Sequence, residues 1–319
     1  MKFKAVFSDH GLRALEKGFV PTLDKFGKTC QLLLGPQDVY FIQTGVNTDG
    51  VHVTARLSRD TLFEEEGFLI SSRTNDNIAF SFEVANLLRV LRGSSANGAD
   101  LLEIKLAMRS VAVGGAAATA SKPFLTFTSR GESLNIVSDM PISPPYKALE
   151  IERLTQELSR TEALSAFYVD IQPEVARLQA VLEKLKSLGD TVLLAITKGG
   201  DMHIQVQESV VELGMELRGL PVLPQDEAEN AQPLEGTTAE ARLREIQSAQ
   251  DAGVVSVQLK HVARSLQVSQ LTGPQQLLCG VGENNGHVHF MFVYKDPLGD
   301  EAFDDKLSLS YKLPVREDL

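Results

Sequence analysis

Three observations predict an α+β chain of two similar domains in tandem. One residue pattern occurs twice: Phe80-Ser81-Phe82-Glu83-Val84 followed by Arg89-Val90-Leu91, and, 175 positions on, Val255-Ser256-Val257-Gln258-Leu259 followed by Arg264-Ser265-Leu266. The halves also close alike, Leu134-Asn135-Ile136 running to Met140-Pro141-Ile142 and Leu307-Ser308-Leu309 running to Leu313-Pro314-Val315. Within each half, stretches of period two alternate with stretches of helical period, the mark of strands and helices sharing one domain.

Taken in order, residues 3–7 alternate as a half-buried strand does, and residues 10–28 have helical period. Gly18 and Pro21 fall inside that helix. An interior proline removes a hydrogen bond and costs about 3 kcal/mol, so a kink or split is expected, with Pro21 in the first turn of the second part. Strands follow at Thr29-Cys30-Gln31-Leu32-Leu33-Leu34 and Val51-His52-Val53-Thr54-Ala55-Arg56-Leu57, then a helix over 83–92. The second half repeats the order: alternation over 167–171, a helix over 173–188, a strand over 191–196, a helix over 260–270, and a strand over 287–293. Asp49-Gly50, Gly199-Gly200 and Asn285-Gly286 supply tight turns. Strands joined by short turns pair antiparallel, because parallel neighbours need long crossovers.

These elements define a first domain over 1–140, a linker over 141–165 with room for a short helix, and a second domain over 166–319. Residues 221–253 hold seven acidic residues, two basic residues and three prolines without strand alternation, and read as a solvated insertion.

Composition narrows the function. No run nears the roughly 20 apolar residues that cross a bilayer, and the alternating opening Met1-Lys2-Phe3-Lys4-Ala5-Val6-Phe7 does not read as a signal peptide. Two cysteines, Cys30 and Cys279, make no disulfide scaffold, which fits a reducing compartment. The formal charge of -11 argues against coating nucleic acid with the whole surface.

Locally the sign reverses. The four helical segments carry eleven basic residues, Arg13, Lys17, Lys25, Lys28, Arg89, Arg92, Arg177, Lys184, Lys186, Lys260 and Arg264, against five acidic ones. Amphipathic helices commonly have charged outer faces. The sharper expectation is one basic surface that contacts phosphate, positioning the protein on nucleic acid without reading bases.

Little else resembles a reactive site. His287-x-His289 puts two imidazoles on one strand face, but no Cys, Asp or Glu is tied to them by spacing, so an exposed strand face is expected rather than a metal site. Gly280-Val281-Gly282 leads into a strand rather than a helix and reads as a hairpin, not a dinucleotide loop. The acidic runs Glu64-Glu65-Glu66 and 299–305 read as solvated turns, and both cysteines as small buried thiols. A binding protein rather than an enzyme is expected, with no cofactor and no metal.

The order of these features resembles the DNA sliding clamps, typified by proliferating cell nuclear antigen. Within them, Met1-Lys2-Phe3-Lys4-Ala5, Lys28-Thr29-Cys30-Gln31-Leu32, Val39-Tyr40-Phe41-Ile42 and the closing Leu309-Ser310-Tyr311-Lys312-Leu313-Pro314 are similar to the Hus-one family, the Hus subunit of the heterotrimeric checkpoint clamp called nine-one-one. The acidic insertion and Pro21 depart from that pattern.

The resemblance implies a nuclear, non-catalytic subunit that closes a ring with two other clamp subunits. Double-stranded DNA would pass along the basic helices, a clamp loader would open the ring, and checkpoint and repair proteins would dock on it. It places a first-domain joining strand at Pro123, Phe124, Leu125, Thr126 and Phe127. The matching second-domain strand is placed at Ser209, Val210, Val211, Leu213, Met215 and Leu217. A partner pocket is placed at Ile142, Pro144 and Tyr146 of the linker with Tyr311, Leu313 and Pro314, Tyr311 serving the partner rather than the core. The competing readings are a replicative homotrimeric clamp or another checkpoint-ring subunit, a small-molecule α+β enzyme, and a protein-binding module indifferent to DNA.

Overall fold

A computed structural model describes all residues except 99–100, 113–118, 132–134, 162–164, 208–211, 226–233, 249–251, 295–303 and 317–319. The chain forms two compact units, Met1–Asp49 with Val53–Arg160, and Gly50–His52 with Thr161–Leu319.

The first unit contains strands β1 (Lys2–Val6), β2 (Thr29–Leu34), β3 (Asp38–Gln43), β4 (His52–Ser58), β5 (Leu69–Ser71), β6 (Ile78–Glu83), β7 (Leu101–Ala112), β8 (Thr119–Arg130) and β9 (Asn135–Pro141). Its helices are α1 (Asp9–Arg13), α2 (Val20–Phe26), α3 (Arg59–Leu62), α4 (Val84–Ala96) and α5 (Ala148–Thr161). The second unit contains β10 (Tyr168–Asp170), β11 (Thr191–Ile196), β12 (Met202–Gln207), β13 (Glu212–Leu217), β14 (Val222–Leu223), β15 (Gly253–Gln258), β16 (Gln276–Val281), β17 (His287–Tyr294) and β18 (Asp304–Pro314). Its helices are α6 (Val175–Leu185), α7 (Ala239–Ser248), α8 (Leu259–Leu266) and α9 (Val268–Thr272).

The repeat seen in the sequence is a repeat of topology. In the first unit the antiparallel orders are β5-β1-β7-β8-β9 and β4-β3-β2-β6. In the second they are β14-β10-β16-β17-β18 and β13-β12-β11-β15, the same orders strand for strand. The matched offset has a clear cause, since Phe80 and Val255 occupy equivalent places on β6 and β15, each strand running directly into a helix.

The first helix takes the split form that Pro21 dictates. A π-helical stretch, Ala14–Phe19, joins α1 to α2, and the Val20 amide donates five residues back to the Leu15 carbonyl. Pro21 then sits in the first turn of α2, where its missing N–H leaves no bond broken.

The linker and the insertion are more structured than their composition indicates. Linker helix α5 buries Ile151 and Leu154 against Leu33, Ile42 and Ala79 of the β4-β3-β2-β6 sheet. The insertion supplies β14, paired with β10, and helix α7, which buries Leu243 and Ile246 beside Ala195. The apolar residues of 221–253 are few but spaced for one helix face, so a solvated segment was the wrong reading of its described residues. In the acidic run 299–305, residues 299–303 lie outside the described residues, and Asp304 and Asp305 begin β18 rather than a turn. Gly280 to His287 does form a hairpin, closed by the Gly282 amide on the His287 carbonyl at 2.9 Å with Asn284 and Asn285 in the left-handed region.

Candidate DNA-facing helices and joining edges

The two helix pairs owe their position to apolar spacing. On α4, Val84, Leu87, Leu88 and Leu91 are buried, and on α6, Leu178, Leu182 and Leu185, three or four residues apart as one helix face requires. Within the first unit α2 packs against α4, and within the second α6 packs against α8. With the apolar stripes turned inward, the basic residues turn out.

Arg13, Lys17, Lys25, Lys28, Arg89, Arg92, Arg177, Lys184, Lys186 and Lys260 are exposed, and Arg264 is half-buried. Arg177 pairs with Glu174 at 3.6 Å and Lys186 with Glu183 at 2.5 Å, each three residues apart on the helix. Among the described residues, no carboxylate lies within ion-pair distance of Arg13, Lys17, Lys25, Lys28, Arg89, Arg92 or Lys184. Solvated, uncommitted cations meet phosphate without first breaking an internal pair.

Among the described residues, each unit leaves one long edge open. β5 and β14 are edges of three and two residues. The backbone of the linker covers β6, with the Ser143 amide on the Ser81 carbonyl and the Tyr146 amide on the Ala79 carbonyl, both at 2.8 Å. On β15, the Arg316 amide donates to the Ser256 carbonyl at 2.8 Å. β9 and β13 remain, ending their sheets with seven and six residues, and they expose Val137 and Leu213.

This corrects the first-domain joining strand. Pro123, Phe124, Leu125, Thr126 and Phe127 belong to β8, which is bonded to β7 on one side and, from Phe124 onward, to β9 on the other. The sequence misleads here because an apolar run such as Phe124 to Phe127 marks a covered strand, while edges are more polar. The missed residues are Ile136, Val137, Ser138 and Asp139 of β9, the last strand of its sheet, whose alternating exposure is that of a strand covered on one face. A groove of about 420 Å³ runs beside them, lined by Arg89 and Val90 of α4, by Asn97 that follows it, and by Ile136 and Ser138. In the second domain, Leu213, Met215 and Leu217 do lie on an edge strand, although Leu217 is buried; Ser209, Val210 and Val211 lie outside the described residues.

The partner pocket is corrected on one side. Tyr311 and Leu313 are fully buried in the second unit, Tyr311 meeting Phe292 edge to face at 5.6 Å. Burial pushes the Tyr311 hydroxyl far above its ordinary titration range. Tyr311 is therefore a core residue, while Pro314 is half-buried. In the first unit Pro144 is exposed and Ile142 and Tyr146 are half-buried, Tyr146 packing against the α5 cluster.

His287 and His289 do not form an exposed face. His289 is buried and shares a 2.9 Å hydrogen bond from Nδ1 to the Tyr168 hydroxyl, and His287 is half-buried. Among the described residues, no cluster of three or more His, Cys, Asp or Glu is placed to hold a metal. Burial raises both cysteine thiols and pushes Tyr168 up to about 12.

Burial, and then Lys312 and His287 nearby, push His289 down to about 3. The folded imidazole thus binds its proton far less readily than the unfolded one, which titrates near 6.5. Its contribution to stability is complete above about pH 6.5 and is lost as pH falls toward 3. From this group alone, stability at pH 4.5 is expected to be about 2–3 kcal/mol below that at pH 7. Urea denaturation at the two pH values should show a difference that shrinks in His289→Gln; an equal difference in both proteins would remove His289 as the cause.

A sequence model of the Hus1-like protein family matches residues 1–316. A checkpoint protein hus1 homolog of Dictyostelium discoideum is 25% identical over 210 residues, 66% of this chain and 70% of that protein. Checkpoint protein hus1 of Schizosaccharomyces pombe is 24% identical over 224 residues, 69% of this chain and 70% of that protein. Among solved structures, the proliferating cellular nuclear antigen of Entamoeba histolytica aligns with a TM-score of 0.60 at 12% identity, covering 99% of both chains. That of Thermococcus kodakaraensis aligns at 0.57 and 13% identity, covering 98% of this chain and all of that one. The fold is the clamp fold.

Proposed function

This chain belongs to the Hus1-like family, and from that premise we propose that it is a non-catalytic subunit of a heterotrimeric DNA clamp acting in the DNA-damage checkpoint and in repair. The observation that carries the reading is the pair of open edges. One domain offers β9 and the other β13, so a head-to-tail ring continues the sheet from each subunit into the next. The exposed cations of the four helices then face duplex DNA, held through its phosphates without sequence preference, while the net charge of -11 discourages DNA from binding elsewhere on the surface. The ring works in the nucleus, is opened by an ATP-driven clamp loader, and recruits checkpoint and repair proteins. The relatives' names, checkpoint proteins, favour this over a replicative homotrimer.

Val137 and Leu213 are exposed, at 60% and 45%, so an aspartate at either position leaves the isolated fold intact. In a joined edge the same carboxylate is buried without a partner, at a cost of several kcal/mol. Val137→Asp is therefore expected to release one neighbouring subunit and Leu213→Asp the other, read by co-purification of the three subunits. Light scattering on the chain alone should show no homotrimer. Full assembly of both variants, or a stable homotrimer, would contradict the reading.

A further inference from the structure

Side chains alternate across β13, and Gly214 and Glu216 share the face that carries Gln205 and His203 of β12, their register partners. The insertion helix α7 lies over that face. Arg242 fixes it there, donating from Nε to Glu216 Oε1 at 2.6 Å, from Nη2 to Glu216 Oε2, and from Nη1 to the Gly236 carbonyl at 2.8 Å. Leu243 and Ile246 pack beside Ala195 to complete the attachment.

Helix and sheet do not close fully at the edge. A cavity of about 200 Å³ remains, floored by His203, Gln205 and Gly214 and walled by Met215 and Leu243. It exists because position 214 has no side chain: a Cβ there would press on the Ile204 carbonyl oxygen at 3.1 Å and on Gln205 Cβ at 3.3 Å. Inside, His203 is 4% exposed and its Nε2 has no hydrogen-bond partner. Glu216 Oε1 stands 3.5 Å from it, but that carboxylate already accepts the Arg242 guanidinium. Buried polar atoms are ordinarily satisfied, so an unfilled one beside a notch lined by both polar and apolar groups marks a missing partner group.

We propose that α7 and β13 form a socket for one side chain of the neighbouring clamp subunit, a large uncharged residue with an apolar body and a hydrogen-bonding tip. A strand paired to β13 places a side chain on this face directly across from Gly214, and a bulky cross-strand residue is what covers an edge glycine. The tip is uncharged because beside His203 Arg242 matches Glu216 and Arg218 stands 3.5 Å from Asp201, while Glu240, the other charge of the lining, is exposed to solvent. The insertion thereby selects which subunit joins at this edge. This rests on the reading of β13 as a joining edge.

The test uses the full chain with its two partner subunits. Ala239 and Glu240 are exposed residues of α7 that line the cavity, so Ala239→Trp and Glu240→Trp fill it from positions the fold tolerates. Each variant is expected to weaken binding of the neighbour released by Leu213→Asp by about tenfold or more. Binding of the other neighbour and the thermal midpoint should not change. If Leu213→Asp releases that neighbour while both tryptophan variants bind it normally, the socket is wrong and the edge stands. If Leu213→Asp releases neither subunit, the edge reading fails and the socket falls with it.

Discussion

Replacing Lys25, Arg89, Arg92 and Lys184 together with alanine is expected to strip the assembled ring of most of its salt-sensitive hold on linear duplex DNA. Each phosphate contact contributes about 0.9 to the slope of log affinity against log salt. Loss of all four lowers the slope by up to about 3.6, which shrinks the change in affinity between about 50 and 200 mM salt by roughly a hundredfold. All four residues are exposed and, among the described residues, none has an ion-pair partner, so folding and subunit joining should persist. The measurement is the salt dependence of ring retention on open-ended DNA. An unchanged slope would mean that DNA does not run along these helices.

The second large effect is on the core. Tyr311→Ala removes a fully buried ring that meets Phe292 edge to face, and aromatic-to-alanine truncations in cores cost about 3–5 kcal/mol. Tyr311→Phe keeps the ring and its packing against Phe292 and should cost well under half as much. Chemical denaturation of the two variants distinguishes the roles. A loss below about 1 kcal/mol in Tyr311→Ala would show that the ring is not part of the packing.

Much of this was legible in the sequence because the repeat constrained it. Phe80 and Val255 announced equivalent strands, and the eleven basic residues announced their helices through the apolar residues between them. Pro21 fixed the form of the first helix by its missing donor. What stayed hidden depends on partners distant in the chain. Nothing local distinguishes Phe127, flanked by two strands, from Val137, flanked by one. Nothing local places Tyr311, since alternation says only that it faces one side of β18, and which side is buried depends on the layer beneath. The socket was hidden for the same reason, because Arg242 and Glu216 are 26 residues apart and acquire meaning only as a pair.

The sealing of β6 by the linker and of β15 by the backbone of Val315 and Arg316 bears on how this subunit survives before it meets its partners. An unpaired strand recruits any extended polypeptide, and a newly made subunit with several such strands would precipitate or mispair. Among the described residues the sticky border is reduced to two strips, and on one of them Asp139 of β9 is tied back over its own sheet, by Arg109 of β7 at 3.1 Å and by the Thr126 hydroxyl of β8 at 2.5 Å. Solubility of the orphan subunit and fidelity of its assembly therefore come from the same economy of exposed backbone.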